Sequence, residues 1–225
     1  MDEDHDLRDF DNVCRLFPLP GVVLFPHSVL KLHIFEPRYR QMTQDALATD
    51  RLIAIVQIRP TPGGATSDEP ELEPVGCLGR IFKHERLPDG RFNLLLLGRK
   101  RIRLDRELAN GKLYRSSEVS IIEDGEADDS VEALRPELIA LFRRAYRAKI
   151  DADLDALFET ELPLGVLADI VAQAMGLPAG ERQEFLAEAA VGRRVLALLE
   201  RLRAAEGGVD AGESRPSFPP PFSRN

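Results

Sequence analysis

The apolar residues of this chain change period once. From Arg15 to Glu123 they recur mostly at every second position. Beyond an acidic connector, Glu123–Asp129 (EDGEADD), they recur at helical spacing. A period of two puts alternate side chains on one face of a strand, whereas a period of 3.6 draws a stripe along a helix. One segment cannot serve both patterns. The chain therefore reads as α+β, with strands first and helices after.

In the first half, Arg15–Leu19, Val22–Phe25 and Val29–Phe35 read as short strands punctuated by Pro20-Gly21 and Pro26. Arg51–Ile58 (RLIAIVQI) is apolar enough for burial on both faces. Residues 60–74, with four prolines, read as a loop. Gly76–Leu87 and Arg91–Leu97 flank Pro88-Asp89-Gly90, where proline presets φ and glycine accepts a positive one, so they form a hairpin. Arg99–Leu108 and Leu113–Glu123 add two strands. A single helix, Arg38–Ala48, begins after Glu36-Pro37, with Tyr39, Met42, Ala46 and Leu47 on its apolar face.

In the second half, Ser130 is the expected N-cap of a helix carrying Val131, Leu134, Leu138, Leu141 and Phe142, and Pro136 either kinks it or moves its start to Arg135. Pro163 opens a second helix that ends at Gly176. Ala179–Ala187 is a third, and Val191–Ala205 the last. The expected organisation is an acidic flexible tail over 1–12, a β subdomain with one helix over 13–125, a helical subdomain over 126–206, and a disordered Pro/Gly-rich tail over 207–225. In that tail Ser217–Phe222 is a candidate polyproline ligand.

Charge and motif content narrow the function. No apolar run reaches the roughly 18 residues of a membrane helix, and the acidic N-terminus does not read as a secretory signal. Two cysteines, Cys14 and Cys77, make no disulfide framework, so a reducing cytoplasm is the expected compartment. Residues 1–125 hold 18 basic and 20 acidic groups, net −2, and residues 126–225 hold 12 and 18, net −6. Neither half is a basic footprint for nucleic acid or an anionic membrane. There is no P-loop and no nucleophile elbow, so neither ATP hydrolysis nor peptide cleavage is expected, and no cofactor is implied. His27, His33, His84 and Cys77 lack the tight paired spacing of a structural zinc site and read as surface or cap histidines and a small buried cysteine. The one basic run, Arg99, Lys100, Arg101, Arg103 and Arg106, alternates with Ile102 and Leu104, as a half-buried strand with a solvated face would, and carries no aromatic residue for base stacking.

Several stretches, in order, resemble the N-terminal substrate-binding domain of Lon proteases. They are Leu16–Pro26 (LFPLPGVVLFP), Phe35–Met42 (FEPRYRQM), Gly76–Ile81 (GCLGRI), Leu87–Phe92 (LPDGRF), Leu97–Ile102 (LGRKRI) and a helical part over Leu162–Ala205. The resemblance implies a PUA-like β-barrel followed by a small helical bundle. It also implies a non-catalytic role in recognising exposed apolar segments of unfolded polypeptides, or in docking on a protease or chaperone. Phe35, Glu36, Arg38 and Tyr39 match the most recognisable motif and are the candidate partner-binding residues. PUA-like barrels also suggest RNA binding as the alternative.

Overall fold

The computed structural model describes residues 7, 10–60, 69–109, 111–147 and 150–207. Most of the expected N-terminal acidic tail and nearly all of the Pro/Gly-rich one, including Ser217–Phe222, lie outside them. The chain divides after Ile122 into two compact units.

The first unit contains β1 (Val13–Leu19), β2 (Val29–Ile34), α1 (Pro37–Leu47), β3 (Leu52–Gln57), β4 (Val75–Arg86), β5 (Phe92–Leu108) and β6 (Ser116–Ile122). β1 pairs in parallel with β3, with Leu16 opposite Ala54. Antiparallel pairings then join β3 to β4, β4 to β5, β5 to β6 and β6 back to β1. These five pairings close a ring, as a barrel requires, and a closed ring leaves no edge. Its interior is filled by Cys14, Leu16, Leu52, Ala54, Val56, Leu78, Ile102 and Val119. Burial pushes the Cys14 thiol far above its ordinary range, so it stays protonated. β3 is buried at all six positions, as its unbroken apolar run requires.

β2 lies outside this ring. It pairs with the first part of β5, from Val29 opposite Leu97 to Ile34 opposite Phe92, and is the terminal strand of the sheet order β2-β5-β4-β3-β1-β6.

Two expectations for this unit are corrected. Arg91–Leu97 and Arg99–Leu108 are one strand, β5, of 17 residues. It stays continuous because its first part serves β2 and its second part serves β6, with one irregularity in the β4–β5 register, between Leu78 and Gly79, where it changes partner. Val22–Phe25 is not a strand. It crosses as irregular chain with Val23, Leu24 and Phe25 buried. It is accommodated by Gly98 and Gly79, which face each other across the ladder. A Cβ on Gly98 would come within 2.1 Å of the Phe25 carbonyl oxygen, and one on Gly79 within 2.6 Å of Leu96 Cγ. The unbroken apolar run of the segment reflects burial without ladder pairing.

The second unit is helical: α2 (Asp129–Glu132), α3 (Arg135–Ala145), α4 (Ala152–Leu157), α5 (Leu164–Met175), α6 (Ala179–Ala187) and α7 (Val191–Gly207). Of the two readings that Pro136 allows, the structure has the second: α3 starts at Arg135, with Pro136 in its first turn, and the residues before it form the separate short α2. Ser130 does not cap α2. Asp128 does, accepting from the Val131 amide at 3.0 Å, and Ser130 sits inside the helix. Gly176 ends α5 at φ 69°, as expected. Val195, Leu198, Leu199 and Leu202 of α7 are buried, and α7 packs on α3 and α5. Among the described residues no helix is long and apolar enough to cross a membrane.

Candidate functional site

The segment joining β2 to α1 carries the four residues singled out by sequence. Glu36 is the helix N-cap by position, with an extended backbone, and its side chain makes no cap bond. Its carboxylate instead accepts from Arg38 Nε at 2.9 Å and pairs with a terminal guanidinium nitrogen at 2.8 Å. The same guanidinium lies 4.6 Å from the Tyr39 ring centroid, within cation–π range. Tyr39 is turned inward: its ring is 4.3 Å from that of Phe17, it is 6% exposed, and burial raises its hydroxyl pKa. Tyr39 therefore anchors the helix in the core, with Arg38 and Glu36 clamped over it. Phe35 points the other way. It is 37% exposed and stacks on His33, with centroids 6.3 Å apart. The structure thus joins Glu36, Arg38 and Tyr39 into one stack and places Phe35 on an outer surface.

That surface is the outer face of the sheet formed by β2, β5 and β4. Its polar end is a directional chain. Glu85 accepts from Asn93 Nδ2 at 3.0 Å, and Asn93 Oδ1 faces His33 Nδ1 at 2.8 Å. Arg91 then donates to His33 Nε2 at 3.3 Å and pairs with Asp89 in the turn. With its oxygen toward His33, Asn93 can only accept, so the imidazole carries its proton on Nδ1 and accepts at Nε2. Backbone and side-chain hydrogen bonds from Arg91 hold the Asp89 carboxyl below its usual range.

The other end of the face is apolar and cationic. Two rows cross the three strands: Val29–Leu97–Arg80 and Lys31–Leu95–Lys83. Val29 is 51% exposed, Leu95 and Leu97 are half-buried, and both lysines are exposed. Phe82, in the bulge between Ile81 and Lys83, is 49% exposed. Sequence reasoning missed this face. The run Leu94–Leu97 gives no parity by itself, and only Lys31 and His33 in β2 signal which side faces water.

The basic run does not form a cationic surface strip. Arg101 is buried in β5, which corrects the expectation of a wholly solvated face. Arg103 pairs with Asp105 at 3.1 Å and Arg106 with Glu118 at 2.6 Å. His33 lies on the outer face, His84 lies opposite Leu94 on the other side of the ladder, and Cys77 is buried. Among the described residues no group of three or more His, Cys, Asp or Glu is placed to hold a metal ion.

A closed ring of strands with an outer strand, followed by a helical unit, is the architecture of a known class. Residues 13–204 match the model of the ATP-dependent protease La (LON) substrate-binding domain. The chain belongs to that family. It is 26% identical over 185 residues to the Lon protease of Rhizobium meliloti, covering 80% of this chain and 22% of the relative. It is 28% identical over 207 residues to the Lon protease of Xanthomonas oryzae pv. oryzae, covering 89% and 24%. The chain thus spans about a quarter of the length of the curated relatives it matches. The N-terminal domain of Mycobacterium avium complex Lon protease shares the fold at TM-score 0.68 and 17% identity, covering 85% of this chain and 98% of that one. A Lon N-terminal domain protein from Xanthomonas campestris does so at 0.59 and 23%, covering 84% and 97%.

Proposed function

We propose that this chain is a non-catalytic polypeptide-binding module that takes unfolded clients onto the outer face of β2, β5 and β4, in the cytoplasm. The observation that carries the reading is the set of large apolar side chains left in water there, Val29, Phe35 and Phe82, in a domain whose family is described as substrate-binding. Buried apolar area would supply the affinity, at about 25 cal/mol per Å² before ordering costs. A folded protein hides such segments, so the module discriminates by client state. The same face would serve for docking on a protease or chaperone.

The test is fluorescence anisotropy with reduced carboxymethylated lactalbumin and native lactalbumin. The unfolded form is expected to bind at least about tenfold more tightly, and Phe35→Ser is expected to weaken that binding. Equal affinity for both forms, or none for either, overturns the reading. ATP and casein turnover are expected at background.

A further inference from the structure

The outer strand has an open side. β2 ends the sheet order, so the row of backbone N–H and C=O groups along its far edge has no strand partner among the described residues. Six residues is enough for an added strand to pair along. It is also the edge that the ring closure leaves out. Native edges of this length are usually blunted, and the device present here is a charge, Lys31 at mid-strand.

The charge has company. Leu95 is flanked directly by Lys31 on one side and Lys83 on the other. At the usual strand spacing the two lysine positions lie about 10 Å apart, across one leucine. Arg80 occupies the neighbouring row. The carboxylate on this face, Glu85, accepts from Asn93. Two of the five lysines of a chain of net charge −8 therefore stand in one cross-strand row, around an apolar centre.

From this juxtaposition we infer that the far edge of β2 takes an extended polypeptide segment as an added strand, and that the segment it selects alternates apolar with acidic residues. This rests on the polypeptide-binding reading above and specifies its mode and chemistry. An added strand sends alternate side chains over the outer face. With its acidic residues on that face, one lies beside Lys31, with Lys83 adding to the field that draws it, and its apolar residues turn to the opposite face, beside the half-buried Leu30 and Leu32. The lysine that discourages neutral or basic strands from pairing is the same group that admits an acidic one. Nucleic acid fits this face less well, because its centre is aliphatic rather than cationic or stacked.

The experiment uses the full chain and four labelled probes: a peptide of four Val-Glu repeats, its Val-Lys counterpart, a Val-Glu peptide N-methylated at alternate backbone positions, and oligouridylate. The Val-Glu peptide is expected to bind at least about tenfold more tightly than the Val-Lys peptide. N-methylation, which removes strand hydrogen bonds and keeps the side chains, is expected to abolish the difference. Lys31→Glu with Lys83→Glu is expected to reverse the preference. Both residues are exposed, and an unchanged circular dichroism melt confirms the fold. The inference is overturned if the double variant keeps the wild-type preference, if N-methylation has no effect, or if oligouridylate displaces the peptide. Reduced carboxymethylated lactalbumin separates the two levels. If it binds wild type while the peptides show no preference, the added-strand inference falls and the polypeptide-binding reading stands. If it does not bind, both fall.

Discussion

At the scale of single residues, the most consequential side chain is one the sequence does not flag. Arg194 is 1% exposed in the first turn of α7. Its guanidinium is held by both carboxylate oxygens of Asp124, by the Glu188 carbonyl at 2.7 Å, and by Asp169 at 3.5 Å, itself 1% exposed. One cation thus ties the connector, α5 and α7 of the helical unit together. Removing one partner of a buried pair strands the other charge, so Arg194→Met should cost roughly 3–5 kcal/mol in urea denaturation. Adding Asp169→Asn should cost less than the two single changes summed, and strict additivity would show that the pair is not coupled. Asp45 gives a pH counterpart. Burial alone would raise its carboxyl, but hydrogen bonds from the Tyr114 hydroxyl and Lys112 outweigh it, and the net position is below the ordinary range. A depressed folded-state pKa contributes stability above the unfolded value of about 4 and loses it as pH falls through the folded one. Asp45→Asn should therefore narrow the gap between the urea midpoints at pH 7 and pH 3. An unchanged gap would mean the carboxylate contributes nothing to the acid limb.

At the scale of elements, one glycine and two leucines separate what the sequence reveals from what it hides. Gly98→Ala pushes a methyl into the Phe25 carbonyl, which is backbone and cannot swing away. A loss of about 1–3 kcal/mol or more is expected, and a neutral outcome would show that the crossing segment can shift. On α7, Leu199 is 1% exposed and Leu196 52%. Leu199→Ala should cost roughly 2–5 kcal/mol and Leu196→Ala within about 0.5, measured by thermal melts. The stripe on α7 was legible because helical periodicity survives over four turns. The six-residue α4 was not, since Leu154 and Leu157 among Asp151, Asp153 and Asp155 make too short a stripe to register. The fusion of two strands into β5 was hidden for a different reason. A turn leaves local marks, but the continuity of a strand that changes partners is set by residues far away in sequence. Of the candidate site, the Glu36–Arg38 pair and the inward Tyr39 follow from local spacing, whereas the face of Val29, Lys31, Leu95 and Lys83 exists only through cross-strand register.

At the scale of the whole molecule, the question is which macromolecule a chain of net charge −8 can hold, and salt decides it. RNA would have to be held by the basic run. If Arg99, Lys100, Arg101, Arg103 and Arg106 each neutralised a phosphate, the log–log salt slope for a single strand would be near −3.5, a loss of about a hundredfold between 50 and 200 mM. The structure has committed much of that run elsewhere: Arg101 is buried, and Arg103 and Arg106 face carboxylates of their own sheet. A polypeptide would instead draw on apolar area, which screening does not touch, and on a few exposed ion pairs at Lys31 and Lys83, each worth no more than about 1 kcal/mol. Affinity for reduced carboxymethylated lactalbumin should then fall by less than about tenfold over the same range, while oligouridylate should bind no more tightly than about 100 μM at 150 mM salt. Isothermal titration at three salt concentrations measures both. A steep slope for oligouridylate, removed by Arg103→Glu with Arg106→Glu, would move the functional surface from the outer face of β2 to the β5–β6 side of the ring.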